Sequence, residues 1–113
     1  MEPLMSPDKR DALSVLAYLY IKYDCPHKAA KLLFALDSLD PALRWARHAR
    51  CLALLRAGHY EETVAETRRI LEHPLDHEGR FRMLQVLVKA YWKLGLRSEA
   101  RACQRAVTTL HRK

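Results

Sequence analysis

Apolar positions along the 113-residue chain recur at helical rather than alternating spacing. Ala29, Leu32, Leu33 and Leu36 fall at i, i+3, i+4 and i+7, the stripe of an amphipathic helix. The few Pro and Gly residues punctuate this pattern. Pro7, Pro26 and Pro41 each stand where a first helical residue is expected, because proline has no N–H to leave unsatisfied there. Gly58 and Gly95 stand where helices end in a left-handed residue. With Asp76 and Ser98 as N-caps, six helices are predicted, over about 7–23, 26–39, 41–57, 60–73, 77–94 and 98–112. No segment reads as a strand. The stretch "LSVLAYLYIKY", Leu13 to Tyr23, has only Ser14 and Lys22 as polar residues, so water is expected to touch little of it. "VLAYLYI" alone reads equally as a buried strand, but it lies in an uninterrupted segment of about 17 residues, too long for one. A helix covered on two sides is the expectation.

Six helices joined by short connections make three antiparallel hairpins, about 7–39, 41–73 and 77–112, in one domain spanning 1–113. Asp24 and Gly58, which end the first and third helices, are 34 residues apart, and Gly58 and Gly95 are 37 apart. A helix–turn–helix period of about 34 residues is that of the tetratricopeptide repeat. Leu13, Leu16, Ala17, Tyr20, Ala29, Leu33, Leu36 and Pro41 fall on its signature positions. The second unit resembles the repeat through "AGHYEE", Ala57 to Glu62, but has Thr63 where Ala is expected and Arg47 and Arg50 at apolar positions. The third retains Leu84, Leu87, Tyr91, Gly95 and Ala100 after a three-residue excess in "EHPLDHEGR".

Three bare repeats in a small basic chain resemble the tetratricopeptide chaperones of bacterial type III secretion. "KAAKLLFALDSLDP" and "RCLALLRAGHYEETVAE" are most similar to the YscY (SctY) type. The resemblance implies an all-α, short right-handed solenoid in the bacterial cytoplasm. It also implies a heterodimer with a small secreted export-apparatus protein of the YscX type, presented to the export gate protein. The needle-subunit co-chaperone of the YscG type is the nearest rival.

Projected at about 100° per residue, Leu13, Leu16, Ala17 and Tyr20 share the face that packs within and between hairpins. Asp11, Ser14, Val15, Tyr18, Ile21 and Lys22 lie opposite, on the side that lines the concave groove of a tetratricopeptide array. The corresponding groove positions are Trp45, His48, Leu52, Leu55 and Arg56 in the second unit and Arg82, Gln85, Lys89, Trp92 and Lys93 in the third. Partner binding is accordingly expected from Tyr18, Ile21, Trp45, Leu52, Leu55, Arg56, Gln85, Lys89 and Trp92, since large aromatics and Arg are the common anchors of interfaces. The first and last helices lack neighbouring repeats, which leaves surface for a homodimer of the unbound protein.

Composition narrows the classes. Half of the residues are hydrophobic and 29% charged, the balance of a folded globular chain. "VLAYLYI" is hemmed by Asp8, Lys9, Arg10 and Asp11 before it and Lys22 and Asp24 after it, so no membrane span fits. "MEPLMSPDKR" has no apolar core followed by a small-residue cleavage site and does not read as a signal peptide. Cys25, Cys51 and Cys103 are odd in number and far apart, which suits reduced thiols in a cytosolic protein. The net charge of +7 permits nucleic acid or an acidic protein as partner. The basic residues are spread through every segment, which favours a solvated exterior over a nucleic-acid site, although a basic helical-repeat module is the second functional class.

Candidate chemistry is sparse. His73 and His77 are four apart, yet Pro74 breaks the helix that would align them on a metal. Cys25-Pro26-His27 has no orienting carboxylate nearby in sequence, and Glu61 and Glu62 are adjacent and so point apart on a helix. The three glycines, 58, 79 and 95, form no phosphate-cradling loop. No enzymatic activity, metal or cofactor is expected. A clamp for a C-terminal carboxylate needs Lys and Asn where this chain has Ser14, Tyr18 and Leu52.

Overall fold

Three turns of one construction punctuate the chain. The computed structural model describes residues 7–39 and 44–111, and each turn in it places one residue in the left-handed region: Asp24 at φ 60°, Gly58 at φ 85° and Gly95 at φ 76°. In the first, the Cys25 N–H donates to the Tyr20 carbonyl at 2.6 Å and the Asp24 N–H to Ile21 at 3.3 Å. In the third, Leu96 donates to Tyr91 at 2.9 Å and Gly95 to Trp92 at 3.1 Å. Both are Schellman closures, which satisfy the last carbonyls of the helix and reverse the chain. The next helix then opens in the same register each time. Ala29 donates to the Cys25 carbonyl at 3.1 Å, Thr63 to His59 at 2.9 Å and Ala100 to Leu96 at 3.0 Å.

All six described elements are helices, and no strand occurs among the described residues: α1 Pro7–Lys22, α2 Pro26–Leu39, α3 Arg44–Arg56, α4 Tyr60–Leu71, α5 His77–Lys93 and α6 Arg97–His111. The all-helical class follows the 3.6-residue periodicity of the sequence. Asp76 caps α5, its carboxylate accepting from the Gly79 N–H at 2.8 Å. Ser98 does not cap α6. The first intrahelical bond ends on the Leu96 carbonyl, so Ser98 lies inside the first turn. Asp40 and Pro41 fall outside the described residues.

The chain divides into two compact units, Met1–Ala57 and Gly58–Lys113. In the first, α1 and α3 both pack on α2. Its core is rich in alanine: Ala17, Ala29, Ala30, Ala46 and Ala53 join Leu33, Leu36 and Leu54. Side chains this small let helix backbones approach closely, and Leu33 and Leu36, fully buried, supply the apolar bulk. In the second unit α4 and α6 pack on α5. There α5 buries seven residues, from Met83 to Tyr91, and meets Ala100 and Val107 of α6.

The opening turns of α2, α4 and α6 place Ala29, Thr63 and Ala100 at equivalent, fully buried positions. Thr63 tolerates burial because its hydroxyl donates to the His59 carbonyl at 2.7 Å, four residues back. Thr67, one turn on and equally buried, has no such partner among the described residues.

The first helix departs from expectation. Leu13, Ala17, Tyr20 and Ile21 face the core of the first unit, while Leu16 is 39% exposed. Ala17, at 1% exposure, seats the helix against α2 and centres the buried arc between Tyr20 and Ile21, which turns Leu16 to the far edge. Val15, Leu16, Tyr18, Leu19 and Tyr23 are all exposed. Within its unit, "LSVLAYLYIKY" is therefore covered on one side only, not two.

The left-handed turns generate a paired prediction. A Cβ on Gly95 meets nothing within 4 Å, so only backbone strain opposes a side chain there. Asp24 already bears that strain. Asp24→Gly should raise, and Gly95→Ala should lower, the stability measured by denaturant unfolding by about 1 kcal/mol each.

Candidate binding faces

Each unit carries exposed aromatic surface on the residues singled out from the sequence. In the first, Tyr18 on α1 is 62% exposed and Trp45 on α3 is 42% exposed. Neither ring belongs to the core. Ile21, Leu52 and Leu55 are half-buried, and Ile21 packs partly against the core cluster. Arg56 is exposed and ties the ends of α1 and α3 together, its guanidinium donating to the Ile21 carbonyl at 3.3 Å. Tyr18, Ile21 and Arg56 are thus brought to one end of this unit. Trp45 lies near the opposite end of α3, with Leu52 and Leu55 along the same helix face.

In the second unit, Gln85, Lys89 and Trp92 are exposed along α5, with Trp92 at 47%. They follow one helix face at i, i+4 and i+7, the face left open where α4 and α6 cover the rest of α5. Lys89 and Lys93 have no ion-pair partner among the described residues, whereas Arg82, on the same face, is paired with Glu78. An indole flanked by free ammonium groups can bury an apolar side chain and hold a carboxylate at its rim.

Sequence reasoning overlooked other exposed features. Phe34 on α2 is exposed but stacked under the Arg50 guanidinium of α3, 4.9 Å from its ring centroid. Arg50 stands at a position the repeat pattern reserves for an apolar residue, and the aromatic ring supplies its partner. Nearby, Arg47 pairs with Asp37 at 2.6 Å. A shallow depression of about 280 Å³ is lined by Gly58, His59, Tyr60, Glu61, Glu62 and Leu94. Both glutamates there are exposed at the first turn of α4, which suits solvation and the helix dipole.

His73 follows the end of α4 and His77 opens α5, so the two sit on different elements. Among the described residues no three His, Cys, Asp or Glu side chains cluster in a way that could hold a metal ion. No disulfide joins the three cysteines; Cys51 is buried, and Cys25 and Cys103 are half-buried. Burial pushes the Cys103 thiol above its ordinary value of 9.0, opposed by the Arg68 guanidinium. No described helix is long and apolar enough to cross a membrane.

Comparison with protein-family models and with curated proteins gives no match in either case.

The Cys103 environment sets a pH dependence. Only the thiolate is alkylated, so iodoacetamide labelling of Cys103 should lag a free thiol at neutral pH and rise only above the ordinary thiol range. Removing the opposing charge in Arg68→Ala should push the thiol higher still and slow labelling further at fixed pH.

Proposed function

We propose that this chain is a protein-binding chaperone of the tetratricopeptide type, and that its partner is a small protein of the bacterial type III export apparatus, of the YscX kind. In this reading the six helices are three repeat hairpins in a right-handed solenoid. The partner's aggregation-prone segment is held in the cytoplasm until it is handed to the export gate. The fold part of the proposal is supported by three left-handed turns in one register, each followed by a fully buried small residue at Ala29, Thr63 or Ala100. The binding part is carried by one observation: Tyr18, Trp45 and Trp92 are held at the surface by helices whose cores are closed without them. Exposed aromatics of this size are the commonest interface anchors.

The mechanism is burial. An amphipathic partner segment gains by covering these rings, and the chaperone loses apolar surface that otherwise promotes association. Lys89, Lys93 and Arg56 at the margins select partners with acidic flanks.

Co-expression with a YscX-type protein should give a stable heterodimer. Trp45→Ala, Trp92→Ala and Tyr18→Ala should each weaken it by about 2 kcal/mol, roughly thirtyfold in Kd. Because all three side chains are exposed, thermal melting of the free chain should change little. Absence of a heterodimer, or wild-type affinity in all three variants, would overturn the reading.

A further inference from the structure

Helix α6 carries a second surface that none of the residues above belongs to. Its buried side is ordinary: Ala100 and Val107 face the core, with Cys103 and Leu110 beside them. Its outer side is not. The segment "RSEARACQRA" places Arg97, Arg101 and Arg105 at i, i+4 and i+8, one above another on one face. All three are exposed. None has an acidic residue three or four positions away, since the one acid of α6 is Glu99. Among the described residues none of the three is in an ion pair, although α4 and α5 use Glu66 and Glu78 to neutralise Arg69 and Arg82. Like charges at i, i+4 destabilise a helix, so α6 bears a repulsion that nothing in the described chain relieves.

A small residue follows each arginine: Ser98, Ala102 and Ala106, all exposed. They form a smooth strip beside the charged ladder. Small side chains on an outer helix face lower the surface enough for another helix to lie close, and the arginines then flank it along one edge. Rungs of the ladder are about 6 Å apart, the rise of four residues, so the three span about 12 Å. Carboxylates at i, i+4 on a partner helix packed alongside repeat with the same 6 Å spacing. The phosphates of a nucleic-acid strand also meet the charge of the rungs, but only a helix has a compact side to lie along the small strip of Ser98, Ala102 and Ala106.

We propose that the outer face of α6 docks an acidic α-helix of a protein partner. Glu or Asp at every fourth residue of that helix would pair with Arg97, Arg101 and Arg105, and its backbone would rest on Ser98, Ala102 and Ala106. The surface is independent of the aromatic faces and stands whether or not they bind an export protein.

The test uses the full chain and three probes: an alanine-rich helical peptide of about 20 residues with Glu at every fourth position, the same composition with the Glu positions scrambled, and a short DNA duplex. Binding is followed by fluorescence anisotropy in about 0.05 M and 0.15 M salt. The in-register peptide should bind at least about fivefold tighter than the scrambled one and more tightly than the duplex. The triple variant R97Q/R101Q/R105Q should lose about tenfold or more of that affinity. Its melting temperature should stay level or rise, because the substitution removes like-charge repulsion. Ala102→Trp, which raises the smooth strip, should weaken binding without removing charge. Equal affinity for the two peptides, preference for the duplex, no binding up to about 1 mM, or undiminished binding by the triple variant would each overturn the proposal.

Discussion

The described structure depends on how closely paired helices can approach at the turns that join them. At the α1–α2 and α5–α6 turns a left-handed residue ends one helix and a small buried residue stands in the opening turn of the next, where the second helix packs on the first. Ala29 and Ala100 have no side chain beyond Cβ to hold the helices apart. Thr63, at the equivalent position of α4, is buried with its hydroxyl bonded within its own helix start, to the His59 carbonyl. The core of the first unit then closes with few large residues. In the first unit five of the eight buried cluster residues are alanines.

That economy has a consequence at the surface. Leu33 and Leu36 are the largest fully buried side chains of the first unit. The bulk of Tyr18, Trp45, Val15 and Leu19 has no place inside and remains outside. In the second unit α5 is covered by α4 and α6 and supplies most of the core, yet Trp92 still lies on its open side. Aromatic exposure on helices whose cores are complete is the physical basis for reading the chain as a binder of other proteins. The thiols and imidazoles, by contrast, form no group of three or more with acidic residues among the described residues that could hold a metal ion.

The local structure was largely legible in the sequence because its signals are local. Proline and glycine placement located the helix ends to within a few residues, and Asp76 was recognisable as a cap because a short side chain before an apolar run has a specific bond to make. The equivalence of Asp24 with Gly58 and Gly95 was legible from spacing alone. Tertiary detail was not. Whether Leu16 or Ile21 faces the core depends on the rotation of α1 about its axis, which Ala17 sets by fitting against α2. A helix that is apolar all round carries no periodic signal to fix that rotation. Ser98 misled because the Leu96 carbonyl receives the first bond of α6 and needs no particular side chain to do so. Among the aromatic positions, exposure of Tyr18, Trp45 and Trp92 depends on how much of each helix its neighbours cover, a property of packing rather than of pattern.

The central claim, that small residues at the turn-facing positions set the helix spacing on which both cores depend, is tested most directly by thermal unfolding of four alanine variants. Ala29→Leu and Ala100→Leu place extra volume where exposure is 0% and should destabilise by about 1–3 kcal/mol. Ala35→Leu and Ala102→Leu make the same change at exposed helical sites and should stay within about 0.5 kcal/mol of the parent. If all four melt alike, or if the buried pair accepts leucine without loss, helix spacing is not limited at these positions and the account of the fold is wrong.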